Sequence, residues 1–322
     1  MLNAYQQTEA LRAAIDLDLF TAMAESPATA AELASRIRAS ERGTRILCDY
    51  LTIAGLLAKQ DSKYELTQDA QVFLSRKSQA YMGTALQFLC TPFHRAHFAQ
   101  LAQTVRRGSP EANEVSTIPE NPIWVDFARG MAPLRVGSAE YIAELIEARS
   151  GRPWKVLDIA ASHGMFGITI AKHNPKAHIV ALDWANVLEV TKENAGKAGV
   201  QDRFSTIAGS AFEADLGSDY DVALVTAFLH HFDPPTNEMF LRRLHAALKP
   251  GGIVVTTEFV PNEDRVSPPQ AAAFSLVMLA NTPSGDAYTF SQLDQMFRNA
   301  GFSSSELHEN PRSLDQVIVS RK

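Results

Sequence analysis

The spacing of apolar residues changes character near residue 150. Between residues 8 and 24 apolar side chains recur at every fourth position, the spacing of an amphipathic helix, at Leu11, Ile15, Leu19 and Met23. Beyond residue 154 the pattern becomes short β-rich runs that alternate with helical stretches. Gly151 and Pro153 punctuate the change and predict a domain boundary.

Five apolar runs in the second half predict strands: KVLDIA (155–160), HIVALD (178–183), RFSTIAG (203–209), DVALVT (221–226) and GIVVTTEF (252–259). Alternation of strands with helices predicts a parallel sheet covered on both faces. The tail SSSELHENPRSLDQVIVSRK predicts two strands joined by a short turn, and therefore an antiparallel hairpin at the sheet edge. The predicted fold class is α/β, with a Rossmann-like sheet after a helical domain.

The first 80 residues predict a separate module. Residues 28–67 predict three helices followed by a short hairpin, which is a winged-helix pattern. Nine Lys and Arg stand against ten Asp and Glu over residues 1–80, so no basic face for DNA is expected and a protein-contact role is favoured. We expect three regions: the module at 1–80, a helical linker and substrate-pocket region at 81–150, and a cofactor domain at 151–322.

Composition narrows the class of protein further. The 322 residues are 46% hydrophobic and 20% charged, with a formal net charge of -6, which disfavours a nucleic-acid binder. Cys48 and Cys90 are far apart and lack metal-ligand spacing. Neither a signal-peptide pattern nor a membrane-length apolar run is visible, so we expect a cytoplasmic protein with no membrane partner.

The stretch VLDIAASHGMFG (156–167) lies where an open parallel sheet binds ligands, after its first strand. Its glycine pattern is weak, because Ala160 and Ser162 stand where glycines are common, while Gly164 and Gly167 remain. The sequence alone allows a cofactor loop or a tightly packed strand–helix junction. The two substitutions predict a loop with fewer residues at positive φ.

A second acid supports the cofactor interpretation. Asp183 ends the second predicted strand, 25 positions after Asp158, where a carboxylate can accept both hydroxyls of a ribose. The segment Gly209-Ser210-Ala211-Phe212 is a candidate adenine rim. NAD and an S-adenosyl cofactor fit this acid equally well. The long helical segment before the loop and the edge hairpin favour the S-adenosyl cofactor.

Taken together, the motifs resemble class I S-adenosylmethionine-dependent methyltransferases. The whole chain resembles their O-methyltransferase subgroup, homodimers with a winged-helix dimerisation domain that act on small, often aromatic molecules. The resemblance covers nearly all of the chain and rests on ALRAAIDLDLF, TAAELASRI, VLDIAASHGMFG, ALDW, FLHHFD, LKPGG and AGF. It implies a seven-stranded sheet, a homodimer formed through the N-terminal domain, and S-adenosyl-L-homocysteine as product.

The resemblance also implies the cofactor contacts. Four residues would hold the methionine end: Asp158, Ala160, Ser162 and Gly164. Asp183 would bind the ribose beside Trp184, and the adenine rim and strand end would be formed by Gly209, Ser210, Phe212 and Thr226. Ser210 replaces the acid usual in the family, which predicts weaker adenine binding because the hydrogen bond lacks a charge.

Methyl transfer is a single displacement, so the enzyme mainly aligns and deprotonates the nucleophile. FLHHFD places His230 on the family's catalytic histidine, and Glu258, 28 positions later, matches the carboxylate that orients it. His231 is expected to be structural. A second acid found in related plant enzymes is replaced by Ala287, and the adjacent Asp286 would point differently. His230 then works with Glu258 alone, or proximity suffices, or the acceptor is not a phenol.

An apolar acceptor pocket is predicted from the middle helices and the helix after the fifth strand: Trp124, Phe127, Met131, Phe274, Met278 and Asn281. No metal is predicted, because the chemistry does not require one. Alternatives stay open at this point: a cofactor-binding or regulatory protein with reduced catalysis, an N- or C-methyltransferase, an NAD-dependent oxidoreductase, or a winged-helix transcription factor. His163, at the rim of the first loop, has no predicted role.

Overall fold

In a computed structural model, residues 3–112 and 115–322 are described. The chain forms two compact units, one ending at Thr91 and the other beginning at Pro92. The division at residues 80 and 150 stays a prediction. Within the described ranges, no helix has both the length and the apolar composition needed to cross a bilayer.

The first unit combines short helices with a three-stranded antiparallel sheet in the order β1-β3-β2. Its elements are α1 (Ala4–Asp16), α2 (Leu19–Met23), β1 (Ala28–Thr29), α3 (Ala30–Ile37), α4 (Glu41–Ile53), β2 (Leu57–Gln60), β3 (Lys63–Leu66), α5 (Gln68–Phe73) and α6 (Gly83–Leu89). Thr29 begins α3 with a capping box closed by Glu32. The hairpin follows as predicted, but residues 28–67 contain two helices, α3 and α4, rather than the predicted three. The winged-helix interpretation stays a prediction.

The helical segment predicted over residues 8–24 is interrupted. Asp18 takes a left-handed conformation with φ of 54° and separates α1 from α2. Aspartate tolerates this conformation better than most residues, because its short polar side chain bonds locally. The break still leaves Ile15, Leu19 and Met23 together in the core of this unit.

The second unit contains the predicted α/β sheet. Its helices are α7 (Pro92–Ala99), α8 (Leu101–Arg107), α9 (Ile123–Leu145), α10 (Met165–His173), α11 (Ala185–Lys197), α12 (Pro234–Ala247), α13 (Pro269–Asn281) and α14 (Phe290–Asn299). Its strands are β4 (Lys155–Ile159), β5 (His178–Asp183), β6 (Phe204–Ala208), β7 (Tyr220–Thr226), β8 (Leu248–Glu258), β9 (Ser304–His308) and β10 (Gln316–Arg321).

The seven strands lie in the order β6-β5-β4-β7-β8-β10-β9. β4 to β8 are parallel, whereas β10 runs antiparallel to both β8 and β9, as the tail predicted. Only the bounds differ: β8 begins at Leu248 rather than 252, and residues 309–315 join β9 to β10. The chain reverses its direction of strand addition at β4, so a ligand crevice is expected at the carboxyl ends of β4 and β7.

Both faces of the sheet are buried, which explains why its strands read as continuous apolar runs. One core layer joins β4, β5 and β7 to α9 and α10, and the other joins the sheet to α12 and α14. The central strands therefore cannot shift without disturbing two packed layers. This rigid sheet positions the residues at its carboxyl edge.

Candidate active site

The loop after β4 is left-handed at three of its residues. Ala160, Ser162 and Gly164 have φ of 49°, 54° and 73°. The prediction that Ala160 and Ser162 reduce the number of positive-φ positions is therefore wrong. The loop keeps the backbone path that glycines would permit and carries Cβ atoms on it, at a cost of about 1–2 kcal/mol for each non-glycine residue.

Hydrogen bonds from neighbouring elements hold this strained path. The Ser162 amide donates to Asp183 Oδ2 at 2.8 Å, and the Thr191 hydroxyl donates to the Ser162 carbonyl at 2.5 Å. Gly164 donates to the Ala161 carbonyl at 2.7 Å and begins α10. Any Cβ on Gly164 would meet the Thr191 methyl at 2.8 Å, so glycine is required there for space as well as for φ.

Asp158 lies buried beneath the loop. Its Oδ2 accepts the Gly167 amide at 3.2 Å, and its Oδ1, although buried, has no hydrogen-bond partner in the part of the chain described. Burial raises the pKa of the Asp158 carboxyl to about 8, with a smaller contribution from Asp183. A buried carboxylate oxygen without a partner is costly and marks a position suited to a cation.

Asp183 ends β5 and braces the loop. Its two oxygens accept the amides of Trp184, at 2.7 Å, and Ser162. Burial raises the pKa of this carboxyl to about 6, although the two amide bonds oppose the shift. Each carboxylate oxygen can accept a further hydrogen bond, so the ribose role predicted for Asp183 is compatible with its work in the loop.

The predicted adenine rim forms a turn after β6. Gly209, with φ of 139°, donates to the Asp183 carbonyl at 3.0 Å, and Ser210 Oγ accepts the Phe212 amide at 3.2 Å. Phe212 stacks against Phe228. Thr226, at the end of β7, is buried at the same edge. Gly209, Ser210 and Phe212 follow β6, and Thr226 ends β7, so all four lie at the carboxyl edge of the sheet. Their cofactor roles stay predictions.

His163 acquires a structural role. Its Nδ1 accepts the Met165 amide at 3.1 Å in the first turn of α10, and its carbonyl accepts the Asn194 side chain. Burial lowers the pKa of His163 to about 3, and Arg135 contributes in the same direction. The neutral ring stacks on Phe127 with 6.4 Å between centroids. His163 thus links the loop after β4 to α9.

His230 follows β7 in a short 3-10 turn, Leu229–His231. Its Nδ1 is hydrogen-bonded to Glu258 Oε2, and both side chains are buried. Glu258, at the end of β8, also accepts the amides of Phe228 and Leu229, at 3.2 and 2.9 Å. The structure therefore brings together the two residues predicted as catalytic. Because Nδ1 donates to the carboxylate, Nε2 carries the lone pair.

Two of the predicted pocket residues contact the histidine pair. Phe274 packs edge-on against His230, with 4.9 Å between ring centroids, and Trp124 packs against His231 at 5.3 Å. Burial lowers the pKa of His231 well below its usual value, helped by the adjacent His230, so its ring stays neutral. His231 Nδ1 faces the Phe228 carbonyl at 3.2 Å, consistent with the structural role predicted for it.

Phe127, half-buried on α9, packs against Trp124, and the other three predicted pocket residues are buried farther along the same helices. Met131 lies on α9 and Met278 on α13. Asn281, at the end of α13, faces the His94 ring at 3.3 Å, a neighbour that the sequence did not reveal. Ala287 is fully buried, and Asp286 forms an ion pair with Arg265 at the surface.

The loop, its orphaned polar atoms and the acid at β5 suit S-adenosylmethionine. Asp158 Oδ1 and Ser162 Oγ are both buried without a partner among the described residues, and the ionised Asp158 carboxylate would be an acceptor for an ammonium group. Asp183, at the end of the neighbouring strand, would supply the ribose acceptor. Ala227, immediately after β7, is also left-handed, with φ of 52°, and no pattern in the sequence predicted this.

Two protein families match this chain. The O-methyltransferase domain matches residues 144–303, and the O-methyltransferase dimerisation domain matches residues 1–76. A solved structure from Nostoc punctiforme, provisionally assigned as an O-methyltransferase, is 50% identical with a TM-score of 0.95. That similarity covers 100% of this chain and 97% of the other, so the predicted fold class is confirmed over its whole length.

Characterised relatives are more distant. The 3-hydroxy-5-methyl-1-naphthoate 3-O-methyltransferase of Streptomyces sahachiroi is 28% identical over 301 residues, 92% of this chain and 86% of the relative. The solved structure of PigF with SAH is 25% identical with a TM-score of 0.86, and the match covers 100% of this chain and 97% of PigF. Both similarities span the cofactor loop and the histidine turn.

Proposed function

The chain belongs to the O-methyltransferase family and is an S-adenosylmethionine-dependent methyltransferase, and we propose that it methylates a hydroxyl of a small aromatic acceptor with His230 as general base. The observation that carries the proposal is the buried His230–Glu258 pair beside aromatic side chains. The naphthoate enzyme acts on a hydroxylated bicyclic ring, and the aromatic side chains Trp124 and Phe274 beside the histidine pair would suit an acceptor of that kind.

Residues at the sheet edge would hold the cofactor. Asp158 would receive the ammonium group, Ser162 and Gly164 would lie against the methionine tail, and Asp183 would accept the ribose hydroxyls. S-adenosylmethionine supplies a sulfonium-bound methyl group, which a nucleophile takes in one displacement while the sulfur leaves as a neutral thioether. The protein therefore needs only to position the acceptor, exclude water and remove one proton.

His230 performs the proton step. Glu258 holds Nδ1–H, so Nε2 accepts the proton of the acceptor hydroxyl as the oxygen forms its new bond to carbon. The imidazolium that results lies against the Glu258 carboxylate, which stabilises its charge. Glu258 is in turn fixed by the Phe228 and Leu229 amides. Its orienting role therefore depends on the backbone of the same turn that carries the base.

Labelled methyl donor and a panel of phenols and naphthols test this mechanism. His230→Ala should lower turnover about 10²-fold or more and leave the affinity for S-adenosylhomocysteine unchanged, because the base acts only on the acceptor. His245→Ala, a histidine on α12 that contacts Phe302 instead, is the matched control. Mass spectrometry of the product locates the new methyl group.

Three results would count against the proposal. Full turnover in the His230 variant would leave alignment alone as the source of rate. A methyl group found on carbon or nitrogen would place this chain with another acceptor chemistry on the same fold. Binding of the cofactor product without turnover across the panel would favour a regulatory protein.

We also propose a homodimer formed through the first unit. The dimerisation-domain match covers residues 1–76. This unit exposes several large apolar side chains, including Tyr5, Ile46, Ile53 and Leu89. Exposed apolar residues of this size are suited to a shared, self-complementary interface.

A further inference from the structure

The turn that carries His230 is bound from several elements at once. Ala227, at its start, donates to the Thr257 carbonyl of β8 at 2.9 Å despite its left-handed conformation. Glu258 accepts the next two amides. Within the turn, the Phe228 and Leu229 carbonyls accept the amides of His231 and Phe232, each at 3.2 Å. Two side chains and one backbone amide from other elements donate further hydrogen bonds to carbonyls of the turn.

Asn237 supplies the first of these donors from α12. Its Nδ2 donates to the Leu229 carbonyl at 2.8 Å and to the Phe232 carbonyl at 3.1 Å, on either side of the histidine pair. The side chain is fully buried, yet its Oδ1 has no hydrogen-bond partner among the residues described. An unsatisfied buried oxygen destabilises the folded state by about 1–3 kcal/mol, and the two hydrogen bonds made by Nδ2 offset this cost.

Tyr288 and Asp286 supply the others from the loop before α14. The Tyr288 hydroxyl donates to the Phe232 carbonyl at 2.6 Å, and the Asp286 amide donates to the His230 carbonyl at 3.0 Å. Gly285 packs so closely on the His230 carbonyl that any Cβ there would clash. Burial raises the pKa of Tyr288, so its hydroxyl stays protonated as a donor.

These contacts bear on the missing second acid. Ala287 cannot hold the imidazole, whereas its neighbours on both sides hold the backbone of the turn. We infer that Asn237 and Tyr288 are positioning residues that fix the His230 turn through its carbonyls, in place of a second carboxylate on the ring. This inference rests on the proposed role of His230 as base. Its physical content is preorganisation, because a base displaced by 1 Å loses much of its rate.

Tyr288→Phe tests the inference cleanly. The variant removes one hydroxyl, and the Phe232 carbonyl keeps its bond from Asn237, so no buried carbonyl is left without a donor. We expect kcat for the best phenol of the panel to fall about tenfold, while its KM and the affinity for S-adenosylhomocysteine stay unchanged. Hydrogen exchange at the Phe228 and Leu229 amides should become faster, a readout that needs no acceptor.

Tyr220→Phe is the matched control. Tyr220 is a buried tyrosine whose hydroxyl donates to the Leu216 carbonyl at 2.6 Å, at the opposite edge of the sheet. The Tyr220→Phe variant should lose a comparable amount of unfolding free energy, while its kcat and the hydrogen-exchange rates of the Phe228 and Leu229 amides stay unchanged. Asn237→Ala should lower kcat further than Tyr288→Phe, because it removes one hydrogen bond from each of two carbonyls, those of Leu229 and Phe232.

The outcomes separate the two proposals. An inactive His230→Ala together with unchanged kcat and exchange in Tyr288→Phe would overturn the positioning role and leave the base in place. Equal losses of kcat in Tyr288→Phe and Tyr220→Phe would assign the effect to stability and overturn the positioning role as well. Full activity of His230→Ala would overturn the proposal that His230 is the general base, and the positioning role of Asn237 and Tyr288 with it.

Discussion

At the scale of single residues, the cofactor loop shows how tertiary contacts override local preference. Alanine and serine favour negative φ, so the sequence predicted an ordinary loop at Ala160 and Ser162. Asp183 and Thr191 lie far away in sequence, and their hydrogen bonds to the loop decide its path. The location of the loop after the first strand could be predicted from the sequence, whereas the positive φ of Ala160 and Ser162 could not.

Replacing Ala160 by glycine tests whether the loop is strained. Relief of the left-handed conformation exceeds the entropy that glycine loses on folding, so Ala160→Gly should raise the free energy of unfolding by about 0.5 kcal/mol. Ala161→Gly, at the neighbouring residue with negative φ, should lower it by about 1 kcal/mol. Urea unfolding measures both. Equal destabilisation by the two variants would show that Ala160 is unstrained.

The raised pKa of Asp158 predicts that the free energy of unfolding depends on pH. Its pKa rises from 3.8 to about 8 on folding, so the native state holds the proton more tightly. Its contribution to stability is present below pH 4 and is lost as pH rises toward 8. Asp158→Asn removes this loss. The cofactor-free variant should be more stable than the unsubstituted protein at pH 8, by at least about 1 kcal/mol, and the gap should shrink at pH 5.

The same variant should lose cofactor affinity. An amide cannot pair with the ammonium group, so binding of S-adenosylhomocysteine should weaken at least tenfold in calorimetry at pH 8. Asp202→Asn, on the exposed turn before β6, controls for the change in net charge. A variant that binds normally would place the methionine end elsewhere.

Asp183→Ala should weaken the binding of S-adenosylhomocysteine by about 2 kcal/mol, measured by the same calorimetry, because it removes the ribose acceptor.

At the scale of elements, the helices and strands were predictable where a single period persists. Continuous apolar runs identified β4, β5 and β7 because both faces of the sheet are buried. The same rule failed between α1 and α2, since apolar spacing continues across Asp18 while the backbone turns there. Nothing in the sequence separates an asparagine that faces solvent from Asn237, whose partners are carbonyls of a distant turn.

Helix α9 is tied to the β9–β10 connection by a buried ion pair. Arg135 donates to Asp315 Oδ2 at 2.8 Å, and the Ser138 hydroxyl and the Asn310 side-chain amide both donate to Asp315 Oδ1. Asp315→Asn should lower the free energy of unfolding by about 3 kcal/mol, because Arg135 keeps a buried charge without its partner. The double variant Arg135→Met, Asp315→Leu should recover most of that loss.

An exposed pair between the same two segments is the natural comparison. Arg312 contacts Glu144 at 2.9 Å, with both side chains largely open to water. Glu144→Gln should change the free energy of unfolding by less than about 0.5 kcal/mol, since solvent screens the pair. Losses of similar size in Glu144→Gln and Asp315→Asn, measured by chemical unfolding, would mean that burial contributes nothing to the Arg135 pair.

At the scale of the whole molecule, the proposed homodimer makes a quantitative expectation. Sedimentation should give about twice the chain mass of 35.3 kDa. Ile53, at the end of α4, is 84% exposed, the most open of the large apolar side chains among the described residues of the first unit. A symmetric interface uses each residue twice, so a charge placed there acts at two positions.

Ile53→Glu should therefore raise the dissociation constant of the dimer at least tenfold, through lost apolar burial and the desolvation of two carboxylates. Val266→Glu is the matched control, because Val266 is 71% exposed but lies in the second unit. It should leave the sedimentation mass unchanged. A dimer that dissociates with Val266→Glu and persists with Ile53→Glu would move the interface to the second unit, and would require the exposed apolar side chains of the first to serve another contact.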